Sequence, residues 1–272
     1  MKGLYQTLVK RELWEHRSLW LAPTLAAALI LLVALFGLMA APQDVQFRVP
    51  MGNRFGEGDL RGSGVMFASV IGLTSQLYLI AGLVVTIYLL DCLYSERKDR
   101  SILFWKSLPV SDFQTVITKF AVGMLTPPVL AFVLGIVVYP IIHAVSTVAV
   151  PEFMASAGGW SMSEWLRAEG RVLSCMLVTT LWFAPLGAWY LLASVLSSRS
   201  PYFLAGLPVV VLGICEGILL HTNHVWRLVG RRITPIFDPL AGLQRPSLWI
   251  GLAVAAGMLY IVIRLRRYRD DT

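Results

Sequence analysis

Charge is what this chain has least of. Only 14% of its 272 residues are Asp, Glu, Lys or Arg, against about 25% in a soluble domain. None occurs at 18–43, 62–90, 120–151, 172–198, 200–215 or 246–263. Cysteine is scarce too. Cys92, Cys175 and Cys215 form an odd set with no CxxC spacing and no Cys/His cluster. They argue against a disulfide frame, a redox motif or a structural zinc site. No GxxxxGK[ST] loop occurs, so the chain does not hold nucleotide phosphates in the P-loop manner. HExxH and GxSxG are absent too. The expectation is a non-catalytic protein that binds no metal and no cofactor of its own. His221 and His224, three apart, read as interfacial residues rather than ligands.

What fills the gaps is hydrocarbon. The chain is 57% hydrophobic, with a mean hydropathy of +0.69. A membrane-spanning helix needs roughly 20 apolar residues, each rising about 1.5 Å across a core about 30 Å thick. Six spans are expected, near 19–41, 66–91, 115–147, 171–197, 201–221 and 246–264, within one transmembrane domain covering 1–272. The runs are continuous rather than alternating, which excludes a barrel and makes the class all-α. The first run follows a charged lead too long for a signal peptide and exceeds an ordinary h-region, so it is expected to be retained.

The net charge of +7 does not point to nucleic acid, because of where the cations lie. With both termini cytoplasmic, Lys2, Lys10, Arg11, Arg17, Arg97, Lys98, Arg100, Lys106, Lys119, Arg199, Arg264, Arg266, Arg267 and Arg269 all fall inside. That majority follows the positive-inside rule. Basic tracts beside spans contact anionic lipid.

The lead 1–18 carries Leu4, Tyr5, Leu8, Val9 and Leu13 roughly on one helical face, interrupted by Glu12. It reads as an interfacial helix on the inner leaflet. Outer loops are expected at 42–65, 148–170 and 222–245. Trp160, Ser163-Glu164 and Trp165 mark a short interfacial helix in the second. The third mixes Trp226, Leu228, Ile233, Ile236 and Phe237 with Arg227, Arg231, Arg232 and Asp238, as a partly re-entrant or surface-lying segment would. Pro127, Pro128 and Pro140 are expected to kink or break the third span. Asp91, at the inner end of the second span, and Glu216, inside the fifth, are the carboxylates a functional reading of intramembrane charge selects.

The densest signal is the loop 96–111. Glu96, Arg97, Lys98, Asp99 and Arg100 precede an apolar knob of Ile102, Leu103, Phe104 and Trp105, and Pro109 stops it. Ser111 and Gln114 have capping-box spacing for the next helix. Apolar knobs rimmed by charge suit a groove on another protein.

This loop resembles the segment between the second and third spans of ABC-2 type permeases (type V exporter-like). There the pattern is Glu-Arg, Gly-Thr-Leu, a hydrophobic stretch, Pro-Val-Ser and a later Lys. Here it reads Glu96-Arg97, Ser101-Ile102, Leu103-Phe104-Trp105, Pro109-Val110-Ser111 and Lys119. Lys10-Arg11-Glu12-Leu13 resembles the family's N-terminal helix, whereas Arg100 stands where a Gly is usual and Lys98 where an acid is frequent.

The resemblance implies a half-transporter for a lipid, peptide or drug-like substrate in a bacterial inner membrane. A second copy or sister permease completes the pathway. Separate ABC ATPase subunits, carrying ATP and Mg, dock on 96–111 as a coupling helix. Two other readings stand beside it. One is a proton-coupled carrier using Asp91, Glu216 and His143. The other is a membrane-embedded enzyme, for which no converging polar set is visible.

Overall fold

The computed structural model describes residues 2–40, 63–99, 110–149, 151 and 160–268. Among them every regular element is an α-helix: α1 (Lys2–Glu15), α2 (Ser18–Ala40), α3 (Ser63–Asp91), α4 (Tyr94–Lys98), α5 (Asp112–Ala149), α6 (Met162–Leu196), α7 (Pro201–Leu219), α8 (His224–Ile233), α9 (Pro239–Gln244) and α10 (Pro246–Tyr268). Six of these are long and apolar enough to cross a membrane: α2, α3 with α4, α5, α6, α7 and α10. The chain is an all-α polytopic membrane protein.

Its outer surface supports this. On α2, Leu25, Leu29, Val33 and Phe36 are 61%, 62%, 63% and 69% exposed. Spaced three and four apart, they form one apolar stripe facing away from the protein, a face that lipid rather than water accepts.

The expected span ends shift. α5 and α6 start earlier than 115 and 171, with 38 and 35 residues. At 1.5 Å per residue they reach about 57 and 52 Å, well beyond the hydrocarbon core. Trp165 and Glu164, expected in a separate interfacial helix, lie in the first turns of α6. The third span is not broken. Pro127, Pro128 and Pro140 all sit inside α5, which runs continuously from Asp112 to Ala149. Membrane helices tolerate such residues when neighbouring helices pack around the altered turn, and Pro127 and Pro128 are both buried.

Two compact units make up the chain, and their boundaries fall inside α2, α3, α5 and α6. One comprises Trp20–Ala81 and Pro128–Ser174. Ala27, Leu77, Ala81 and Ala131 are buried in its middle. Alanines at these positions let helix backbones approach closely. A second core joins Met66, Phe67 and Val70 of α3 to Tyr139 of α5 and Ala168 and Val172 of α6.

The other unit comprises Met1–Leu19, Gly82–Pro127 and Cys175–Thr272. Glycine allows close approach within it. A Cβ on Gly123 of α5 would lie 2.7 Å from two ring carbons of Tyr88 and 2.8 Å from Leu89 Cδ2 on α3.

The segment expected to be re-entrant or surface-lying folds as α8 and α9. Ile236, between them, is buried with Val178 and Trp182 of α6 and Leu248 of α10. The Trp182 indole donates to the Arg231 carbonyl at 2.7 Å, and the Thr179 hydroxyl accepts from the Ile236 amide at 3.1 Å.

Replacing Gly123 with Leu should cost about 1–3 kcal/mol through overpacking against Tyr88 and Leu89. The same change at Gly37, where nothing lies within 4 Å of the new Cβ, should leave the thermal midpoint in detergent nearly unchanged.

Candidate functional site

Four charged side chains lie almost wholly inside the unit formed by Met1–Leu19, Gly82–Pro127 and Cys175–Thr272. Lys119 is 0% exposed, Glu12 2%, Glu96 3% and Arg266 5%. They come from four elements. Glu12 is on α1, one turn beyond the buried Leu8. Glu96 is on α4, Lys119 is two turns into α5, and Arg266 is in the last turn of α10.

Lys119 is saturated. Its ammonium has three N–H donors, and three carboxylate oxygens accept them: Glu12 Oε1 and Oε2, both at 2.9 Å, and Glu96 Oε1 at 3.1 Å. Glu12 also accepts from the Tyr88 hydroxyl at 2.9 Å. Arg11 Nη2 reaches Glu96 Oε1 at 3.0 Å and Glu12 Oε1 at 3.2 Å, while its Nε binds Glu15 at 3.2 Å. Arg266 joins Glu96 Oε2 at 3.1 Å to Asp112 Oδ1 at 3.2 Å. Glu96 is therefore the hub. Three cations, from α1, α5 and α10, converge on one carboxylate.

His16 stands beside this cluster, with its ring edge-on to Tyr88 and Nε2 3.9 Å from Glu12 Oε2. Burial, followed by the Lys119 charge, holds its imidazole below the ordinary value of 6.5.

Adjacent to the hub, Arg97 turns the other way. Its Nη2 donates to the carbonyls of Ser194 and Ser197 at 2.7 Å each. Those groups lie at and just beyond the C-terminus of α6, where orphan carbonyls and the negative end of the helix dipole favour a cation. The Ser194 hydroxyl accepts from the amides of Leu93 and Tyr94, at 3.2 and 3.0 Å, across the break between α3 and α4. The Tyr94 hydroxyl binds the Arg199 carbonyl at 2.6 Å. α4 is thus tied to α6 on one side and to α1, α5 and α10 on the other.

The loop residues singled out from sequence divide accordingly. Glu96 and Arg97 direct their charges into the protein. Ser111 makes the expected capping box: its amide donates to Gln114 Oε1 at 3.1 Å and its Oγ accepts from the Gln114 amide at 3.2 Å. Ile102, Leu103, Phe104, Trp105 and Pro109 lie outside the described residues.

Glu216 is occupied with structure. Its Oε1 accepts from the Thr222 hydroxyl and the His224 amide, both at 2.6 Å, and its Oε2 from the Val225 amide at 2.8 Å. It caps the N-terminus of α8, where a carboxylate suits the unpaired amides and the helix dipole. His221 makes this geometry possible by entering the left-handed region, φ 50°, which a non-glycine residue does at a cost. No hydrogen bond or ion pair joins Asp91 to Glu216 among the described residues.

Sequence reasoning passed over the hub's partners. Glu12 read as a flaw in an amphipathic face, Lys119 as a motif position and Arg266 as one of several tail cations. The available signal was a charge set in an apolar periodic face on two elements, Glu12 on α1 and Lys119 on α5, with opposite signs. No family model, curated protein or solved structure matches the chain.

Lys119→Met should cost about 3–5 kcal/mol, because Glu12 and Glu96 lose a buried partner. In a double-mutant cycle, Glu12→Gln with Lys119→Met should lose less than the sum of the two. Unfolding by SDS titration in mixed micelles reads both.

The neighbouring imidazole predicts a pH slope. A base whose folded pKa is depressed favours folding when neutral. The stability it contributes is present above about 6.5 and is lost as pH falls through its lowered value. Thermal midpoints should therefore drop below that pH, and His16→Gln should flatten this part of the profile.

Proposed function

We propose that this chain is the membrane-spanning permease subunit of an ATP-driven ABC transporter of the ABC-2 type. Two such subunits, alike or paired with a sister permease, enclose the pathway. Separate ATPase subunits, carrying ATP and Mg, engage the segment 96–111. The complex exports a lipid, peptide or drug-like substrate across a bacterial inner membrane, and both termini of this chain are cytoplasmic.

The observation that carries the reading is the double anchoring of α4. Glu96 holds it to α1, α5 and α10, and Arg97 holds it to the end of α6. A displacement applied immediately after α4 is delivered to four other helices at once, through groups too costly to separate within the protein. A simple connection between two spans needs no such fixture. The absence of a P-loop from the sequence agrees with an energy source on another chain.

Proton-coupled transport through Asp91 and Glu216 has less support. Both Glu216 oxygens are committed to the α8 cap, which leaves Asp91 without the partner carboxylate that reading requires.

Purification from the native host in mild detergent tests the proposal. An ATPase subunit should accompany the chain, and Phe104→Ala with Trp105→Ala should release it from a permease that stays folded, its thermal midpoint within about 2 °C of the parent. Retention of the ATPase by a folded double variant defeats the docking assignment.

A further inference from the structure

A separate cluster lies in the unit formed by Trp20–Ala81 and Pro128–Ser174, and the transporter reading makes no use of it. Four aromatic rings from two helices and one adjoining residue gather there. Trp160 stacks on Tyr139 at 6.3 Å between centroids, meets His143 edge-on at 4.8 Å and tilts against Trp165 at 5.6 Å. Tyr139 is fixed in turn: its hydroxyl bonds Ser69 Oγ at 2.9 Å and Met66 Sδ at 3.1 Å.

One turn along α6 from Trp165 stands Glu169. It is 6% exposed, and no cation pairs with it among the described residues; the Trp165 indole N–H, one turn away on the same face, is the donor turned toward its carboxylate. Positions 165, 168, 169 and 172 share one face of α6, and Trp165, Ala168 and Val172 pack against Met66, Phe67, Val70 and Tyr139. The Tyr139 hydroxyl lies within electrostatic reach of Glu169. The carboxylate is therefore part of the aromatic cluster.

A buried carboxylate with no counter-charge is costly. The other charged groups of these first turns do not relieve it. Arg167 bonds the Ser163 carbonyl through its Nε, and the Arg171 guanidinium sits over the Phe67 ring at 4.3 Å from its centroid. Among the described residues no ion pair reaches Glu169. A metal ion is a poor candidate: His143 and Glu169 are only two ligands, and no group of three or more possible ligands occurs among the described residues. What matches is a soft organic cation. Aromatic faces attract such a cation through their quadrupoles, and the carboxylate supplies the opposite charge.

We propose that Trp160, Trp165, Tyr139, His143 and Glu169 form a binding site for an organic ammonium group, contributed by a free amine or by a lipid headgroup. Trp160, 40% exposed and set just before α6, forms the outer wall past which the ligand enters. Glu169 neutralises the cation. Tyr139, held by Ser69 and Met66, keeps the inner ring in place. The site stands whether or not an ATPase drives this chain.

The test is calorimetric titration of benzyltrimethylammonium into the full chain in phosphatidylglycerol nanodiscs. Saturable binding is expected. Glu169→Gln, nearly isosteric, should weaken it at least about tenfold, which corresponds to 1.4 kcal/mol or more. Trp160→Ala should weaken it several-fold, and Trp249→Ala, at an exposed tryptophan of α10, should leave it unchanged. Thermal midpoints in the same discs certify that each variant is folded.

A phosphatidylcholine arm separates the two sources. Weaker binding there shows that lipid headgroups compete for the site, and equal binding shows that they do not; both uphold it. Absence of saturable binding at millimolar ligand overturns the proposal. So does equal affinity of the parent and a folded Glu169→Gln variant, or equal loss from Trp160→Ala and Trp249→Ala.

Discussion

One ammonium group among carboxylates organises the unit that holds α4. Lys119 is fully buried, so its charge has to be met by protein, and Glu12 and Glu96 meet it with three short hydrogen bonds. Apolar helices in lipid have little hydrophobic reason to prefer one register over another, because lipid tails are as apolar as leucine. A buried ionic cluster supplies that preference. Sliding α5 by one turn would strip Lys119 from both partners and leave Glu12 and Glu96 facing each other. Replacing the whole cluster with well-packed hydrocarbon need not lower stability. We therefore assign it to register: it decides which turn of α1, α4, α5 and α10 meets which.

How much of this was legible in sequence follows from the range of each interaction. The six spans were readable because lipid imposes one requirement along the whole length of a helix. The Ser111–Gln114 cap was readable because its partners lie three residues apart. Glu12 and Lys119 are 107 residues apart, and neither residue's neighbours announce the other. Read alone, Glu12 spoils an amphipathic pattern and Lys119 borders a charge gap. Glu216 shows the opposite case. Its position within an apolar span drew a functional reading, yet its partners, Thr222, His224 and Val225, are six to nine residues away across a turn. The turn depends on a left-handed His221, which nothing in the composition foretells. Proline did not break the third span, for a related reason. A lost helix hydrogen bond is a local cost, and whether it breaks a helix depends on packing that the sequence does not display.

The chain from α8 to α9 shows how irregular backbone is accommodated beside apolar spans. Such backbone persists where protein buries it. Trp182 and Thr179 bind backbone groups of this segment, and the Cys175 thiol donates to the Phe237 carbonyl at 3.3 Å. Arg232 completes the attachment. It lies over the Trp182 ring at 4.2 Å and donates to the carbonyls of Trp182 and Ser247 at 3.1 and 2.7 Å. Burial lowers its pKa, yet a guanidinium remains charged across the accessible pH range. Gly251 makes room for it: a Cβ there would fall 2.5 Å from Nη2. An arginine met by carbonyl dipoles and an aromatic face needs no carboxylate to be tolerated.

The dipeptide Glu96-Arg97 unites these lines. Read as sequence, it is a charged rim for a docking partner. In the fold its two charges point into the protein in different directions, the first into a nest of cations and the second onto the carbonyls ending α6. Exchanging them would set an arginine among Arg11, Lys119 and Arg266 and a carboxylate against the negative end of a helix, so the order is fixed by electrostatics alone. It follows that the dipeptide is accounted for without any partner. What Glu96 and Arg97 provide is a fixed attachment of α4 to the helices around it.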